Sequence, residues 1–541
     1  MEDDNQTQAT LSVNQSVVYY NYSIGFDCLE VDLLKTASNF LKNGICSSVF
    51  FSDSKALYVK ESGETGIELI MPKGRTWASS WEIELSDDLP PLVAADISKY
   101  CEYFYHEHIV SNNPVPYIRA NFPPVIVEDE GIKYPLYVNV KVYENGIAHL
   151  SFQMTPQWKK FSEVDFIHEV VNFYKQYLSN IWIDSRLQRI DADISINNAF
   201  EDNFTIGGKT LSDRKSKKLI DKQRRTIRQK VHKLLEKEGE TFELNGHQFE
   251  LNKIIDSEEA DSWESTIDLC RSIYSNCLGH FIVSPQDTSN HNWQGRPSVS
   301  ILRFDNQPSD KTTLFKLYSR SIARLMNRSE QSSSYTKDFE DLRMFEDFSL
   351  TINRSILLWI WLRKEKDLSD AFQDINLLSA LNQNQVRAEQ MMYKSMEVYR
   401  ACTWSSDPID NRFLIKAYET LANFQRDIHI SSYSGEVTRT MLKAMESFEI
   451  FSLIEPSKES ARYHLDNFRY RNDQAKQKVD SQLAIIFGLV GTTSLSEYAF
   501  TPMYQKILPD LSNLANISIS LFTSFVSIVF IVTLVKQLFS K

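Results

Sequence analysis

Carboxylates recur at every seventh residue in one stretch of the chain, at Glu459, Asp466, Asp473 and Asp480, and Arg462, Arg469 and Lys476 each follow one of the first three by three positions. Two kinds of chemistry are open to such a ladder. On a single helix it makes i,i+3 ion pairs along a solvated face. In a parallel assembly of several copies each acidic position becomes a ring of carboxylates, which favours cations at a pore entrance. A second charged stretch, "KTLSDRKSKKLIDKQRRTIRQKVHKLLEK" from Lys209 to Lys237, holds twelve Lys/Arg against Asp213, Asp221 and Glu236. Ile220, Ile227, Val231 and Leu234 fall on one stripe, so a basic amphipathic helix is expected here.

Spacings that would support catalysis are incomplete. Gly208-Lys209-Thr210 lacks the glycine of a phosphate-binding loop five residues earlier, where Asn203 stands. His106, Glu107 and His108 could place two imidazoles on one strand face, but no third metal ligand follows nearby. There is no His-Glu-x-x-His and no Gly-x-Ser-x-Gly, and His280 and His291 lie in a polar stretch. The chain is therefore not expected to be an enzyme, and no metal site or certain cofactor is expected. A formal net charge of -12 argues against general coating of DNA or RNA. The six cysteines form no paired framework and fit reduced, buried thiols.

The elements that must carry these groups change along the chain. "YPLYVNVKVYENGIAHLSFQM" alternates about Asn145-Gly146, the dipeptide of a tight I′ hairpin, and "TFELNGHQFEL" repeats the pattern about Asn245-Gly246. "KALYVKESGETGIELIMP" reads as a hairpin with a longer loop, whereas "LVAADISKYCEYFYHEH" and "VDFIHEVVNFYKQYLSNIWI" have helical spacing. From about residue 258 helical patterns dominate, and "SILLWIWL" at Ser355–Leu362 is too short to span a bilayer and reads as a buried helix.

Near the C-terminus Ile517–Val535 is an uncharged run of nineteen residues, and Leu483 to about Phe500 carries one charge, Glu497. A bilayer core needs roughly 20 helical residues, so a membrane hairpin is expected. The excess of Lys and Arg before the first run and after the second places both termini in the cytoplasm, and the acidic first residues lack the regions of a signal peptide. After Pro456 nothing but Gly488 and Gly491 interrupts a helix up to about Ala499, predicting one rod of roughly 60 Å. Leu465, Phe468, Asn472, Ala475, Val479, Gln482, Ile486, Leu489, Thr493 and Ser496 form a heptad seam along it. Its polar members Asn472, Gln482, Thr493 and Ser496 suit the wall of a water-filled pore, and Ile486 and Leu489 suit an apolar gate that dewets. The same stripe could instead pack against the second span.

A large N-terminal part, a very long helix entering the first span, a short outer loop, a second span and a basic tail resemble the CorA family of pentameric channels over roughly Ala371–Lys541. The family's Tyr-Gly-Met-Asn-Phe signature is replaced by Glu497-Tyr498-Ala499-Phe500-Thr501-Pro502-Met503, so the family's magnesium selectivity is not carried over. The longer front half looks more like the CorA-like effectors of type III CRISPR systems. That resemblance implies a bacterial inner-membrane homo-oligomer, a pentamer, acting in antiviral defence and gated by a small nucleotide, SAM-AMP, on its cytoplasmic domain. Lys217, Lys218, Arg224, Arg225 and Arg228 then become candidates for holding phosphate, against a solvated face or a contact with anionic lipid.

The expected fold is an α+β cytoplasmic N-terminal domain followed by an α-helical CorA-like stalk and a two-helix transmembrane hairpin. Its parts are a disordered tail (1–16), an α+β domain (17–255), a mainly helical domain (256–456), stalk and first span (457–500), outer loop (501–516), and second span with tail (517–541). The expected partners are further copies of the chain, the bilayer and a small nucleotide. Two other readings are a divergent divalent-cation transporter and a membrane-tethered binding module.

Overall fold

A computed structural model describes residues 9–75, 81–112, 114–129, 131–154, 160–173, 176–201, 205–206, 209–210, 214–236, 239–244, 246–255, 266–330, 339–362, 375–432, 434–510 and 512–539. It divides into two units, Met1–Glu459 and Ser460–Lys541. The strands are β1 (Val13–Phe26), β2 (Ser48–Phe51), β3 (Lys55–Val59), β4 (Thr65–Leu69), β5 (Met71–Arg75), β6 (Trp81–Glu84), β7 (Tyr117–Asp129), β8 (Ile132–Tyr143), β9 (Ile147–Met154), β10 (Asn180–Asp184), β11 (Thr205–Ile206), β12 (Lys209–Thr210), β13 (Glu240–Leu244), β14 (His247–Ile255), β15 (His291–Phe304), β16 (Phe348–Ile352) and β17 (Leu357–Trp361). The helices are α1 (Leu33–Lys42), α2 (Pro91–Val110), α3 (Glu163–Asp165), α4 (Ser185–Glu201), α5 (Arg214–Leu235), α6 (Ile267–Phe281), α7 (Lys311–Asn327), α8 (Ile375–Ser406), α9 (Asn411–Ile430), α10 (Gly435–Ser447), α11 (Ile450–Leu495), α12 (Thr501–Ile507) and α13 (Asn513–Phe539).

The first unit is built on a mixed sheet in the order β13-β14-β10-β7-β8-β9-β1-β15-β17-β16, with β2, β3 and β4 branching from β7. All neighbours are antiparallel except β15 and β17. The β8–β9 hairpin turns at Gly146, whose φ of 81° only glycine adopts freely. Strand alternation sends Tyr20, Tyr22 and Ile24 of β1, with Val138, Val140 and Val142 of β8, to one face. There they meet α1, α6 and α7 in the largest hydrophobic core. The opposite face is covered by α2 and α8. Outside these, α9 and α10 and the start of α11 close a second core against α8 around Trp359, Met391 and Phe424.

Several expected boundaries move. The structure begins in earnest before residue 17, because Leu11 and Val13 are buried and β1 starts at Val13. A break at residue 255 does not appear in the sheet: β15, β16 and β17, from the stretch read as mainly helical, join the strands that precede it. "SILLWIWL" is no helix, since Leu357–Trp361 forms β17; a short, wholly apolar run has no period to separate the two. The helical reading of the segment ending in "SNIWI" also fails at its end, where a π turn over Phe166–Val171 stops the helix and Asn180–Asp184 becomes β10.

In the second unit α13 and part of the helical stretch Ile450–Ile507 are long and apolar enough to cross a membrane. The long helix starts at Ile450, before Pro456, which sits inside it. It ends in a π turn at Ser496–Phe500, and α12 occupies part of the expected loop.

Candidate functional site

Two arrangements could carry function, one in each unit. In the first, the sheet face under α2 and α8 is polar along two rows that cross the central strands. One row runs through Arg119 of β7, Lys141 of β8, His149 of β9 and Ser23 of β1, paired in register. The next runs through Asn121, Asn139, Ser151 and Asn21, ending beside Arg296 of β15. Burying such a surface is costly unless each group is partnered, and the two helices supply partners to part of it, whereas Ser23 Oγ and His149 Nε2 are buried without a hydrogen bond among the described residues. From α2, Asp96 accepts from Asn121 (2.6 Å) and Ser48 (3.3 Å), and Lys99 donates to Asn139 (3.4 Å). From α8, the Gln385 amide donates to Asn21 Oδ1 (2.9 Å) and Ser151 Oγ (3.3 Å).

At the centre lie four buried charges. Arg119 donates Nη1 to Glu389 Oε1 at 3.2 Å and Nη2 to Glu389 and to Glu107, and Lys141 donates to Glu107 Oε1. Lys141 Nζ stands 4.0 Å from the Tyr117 ring centre and 4.6 Å from that of Tyr143. Burial pulls the Lys141 ammonium down to about 8, against the opposing pull of Glu107. Burial alone would raise the Glu107 carboxyl, but Lys141 and Arg119 hold it below its ordinary value. Both carboxylates are engaged by cations, so neither is a free general base. The cluster instead fastens α2 and α8 to the sheet.

Glu107 is the middle residue of the expected His-Glu-His pair of ligands, which lies on helix α2 and not on a strand. Side chains two apart on a helix diverge. His106 Nε2 meets Ser379 Oγ at 3.3 Å, whereas His108 packs edge-on to Phe104. Among the described residues no group of three His, Cys, Asp or Glu side chains could hold a metal ion.

The basic stretch does form a helix, α5. Its expected phosphate ligands are divided. Arg228 Nε pairs with Asp193 of α4 at 2.8 Å and its Nη2 donates to Asn197, while Arg224 lies 3.8 Å from Asp221. Lys218 and Arg225 are exposed, and the side chain of Lys217 lies outside the described residues.

In the second unit, the end of α11 and the π turn after it present two different polar faces. Gly491, Thr492 and Ser496 face α13: a Cβ on Gly491 would lie 3.4 Å from Ile528, Thr492 and Ser496 are buried, and the π turn contacts α13. Asn516, Ser520 and Ser524 of α13 are buried too. Small residues allow such close approach of helices in an apolar medium. Ser496, expected to line a pore, is therefore covered within its own hairpin. Asn472, Gln482 and Thr493 are exposed, as are Glu459, Asp466, Asp473 and Asp480. Ile486 is exposed, and the side chain of Leu489 lies outside the described residues. Within the ladder Arg469 stands 3.8 Å from Asp466, and among the described residues no ion pair joins Glu459 to Arg462 or Asp473 to Lys476.

Comparison of the chain with family models, with curated proteins and with solved structures finds no match in any of the three.

Proposed function

We propose that the chain is a membrane channel assembled from several copies, with the exposed polar stripe of α11 lining the path and the first unit acting as a ligand-responsive regulator. One observation carries this reading. Thr492 and Ser496 are already covered within the hairpin, yet Thr493, whose hydroxyl donates to the Val490 carbonyl at 2.8 Å, is exposed on the same apolar stretch, and Gln482 is exposed just before it. At membrane depth, polar side chains face a bundle interior or water, and a second helix copy or a pore supplies either. The outward apolar side chains of Phe487, Val490, Phe522 and Phe530 then face lipid or neighbouring subunits.

The test is the mass of the purified full chain in detergent, followed by ion flux in liposomes. An oligomer with flux that falls at least ten-fold in Thr493→Leu supports the channel. A monomer, or an oligomer without flux, sinks it and leaves a membrane-tethered module.

A further inference from the structure

Helix α5 is held from one side. Arg228 and His232, one turn apart, both pair with Asp193 of α4, at 2.8 and 2.9 Å, and this fixes which residues face inward. The outer surface carries two kinds of side chain. Lys218, Lys222, Arg225 and Lys233, spaced i, i+4, i+7 and i+15, share one exposed shoulder of the helix. Among the described residues none of these four pairs with a carboxylate. Leu219, Ile227 and Leu234, spaced i, i+8 and i+15, form the neighbouring shoulder and are 61%, 38% and 66% exposed.

This pairing narrows what the face can meet. Water accounts for the cations, but three large apolar side chains gathered on one shoulder gain nothing from it. Nucleic acid would also meet the cations, yet α5 holds no Phe, Tyr or Trp on which bases could stack. A cationic flank beside an apolar one is the pattern of a helix lying in a membrane interface, its apolar residues at the acyl boundary and its Lys and Arg among headgroups. The sign of the charge selects anionic lipid. The same chain carries two helical stretches long and apolar enough to cross a membrane, so a bilayer is a partner that its other end is built to meet.

We propose that the outer face of α5 docks on an anionic bilayer surface, with Lys218, Lys222, Arg225 and Lys233 among the lipid headgroups and Leu219, Ile227 and Leu234 at the acyl boundary. The docking requires no pore. The test uses the full chain in nanodiscs of phosphatidylcholine, with or without about one-third phosphatidylserine. A nitroxide on Thr226→Cys, an exposed position beside both shoulders, reports by power-saturation EPR whether α5 stands in lipid or in water. The native cysteines are buried or half-buried, and the signal from the unaltered chain is subtracted. With phosphatidylserine the label should become more accessible to oxygen and at least two-fold less accessible to a water-soluble nickel chelate; with phosphatidylcholine alone it should stay in water. Lys222→Glu combined with Lys233→Glu, both at exposed positions, should return the label to water and leave the melting temperature unchanged. Equal accessibility in the two discs overturns the proposal, as does a label still in lipid in the double variant. Shielding of the label in detergent alone would give the face to a second copy, and shielding there by added single-stranded RNA would give it to nucleic acid; either result overturns the lipid assignment.

Discussion

Arg119 and Glu389 form a forked ion pair, two guanidinium nitrogens of a β7 residue donating to the two carboxylate oxygens of an α8 residue, with both side chains almost wholly buried. They come from segments 270 positions apart. Their separate fates in a variant measure how firmly α8 is held on the sheet.

Glu389→Gln should cost about 3–5 kcal/mol, because it leaves a buried guanidinium short of its counter-charge. The check is thermal or urea unfolding of the purified chain, with Glu107→Gln alongside. Loss below about 1 kcal/mol in both would mean that the cluster does not hold the helices.

Acid should weaken the first unit through His106. Burial, and then the nearby Arg387, lower its imidazole to about 4 from an ordinary 6.5. Above about 6.5 it is neutral in folded and unfolded chains alike. As pH falls from there towards 4 the unfolded chain takes up a proton that the folded one refuses, so stability is lost across that window. Melting temperatures measured from about pH 7.5 down to pH 5 should fall, and less steeply in His106→Gln.

Gly146→Ala should destabilise by at least about 1 kcal/mol, since its positive φ penalises any Cβ. The new atom would also sit 2.9 Å from the Cys28 carbonyl oxygen. A melting temperature unchanged from the parent would contradict this account of the β8–β9 turn.

Thr493 at the end of α11 and Ser496 in the π turn after it should respond differently. Ser496→Leu forces bulk into the covered face and should cost about 1–3 kcal/mol, seen as a lower melting point in detergent. Thr493→Leu lies on the exposed face and should leave the melting point unchanged while flux is lost. Equal melting points for the two would remove the distinction between the faces.

The hairpins at Gly146 and Gly246 were legible because their turns need a glycine at positive φ, but the first is not the expected I′ turn, since Asn145 keeps a negative φ and the Gly146 N–H donates to the Tyr143 carbonyl. The basic helix and the long rod were legible from period and from the scarcity of breakers. The polar layer was present as a pattern, Asn21-x-Ser23, Arg119-x-Asn121, Asn139-x-Lys141 and His149-x-Ser151. Alternation of this kind identifies a strand but not what lies over its polar side, and a solvent face is its ordinary meaning. Only the arrival of Asp96, Glu107, Gln385 and Glu389 from two helices turns it into an interior. Helix α8 could not announce this role, since its charged residues read as surface. The apolar β17 was illegible for the opposite reason, having no polar residue to set a period.

The position of β1 between β9 and β15 also bears on how the protein is made. During synthesis β1 can pair with β9 only after Met154 has left the ribosome, and its other edge stays unpaired until β15 is complete at Phe304. During that interval an edge rich in Tyr and Val is open to wrong pairing. Distant strand pairing is slow and prone to aggregation. Chaperone-poor expression, or truncation between β9 and β15, is therefore where this chain should be lost to inclusion bodies.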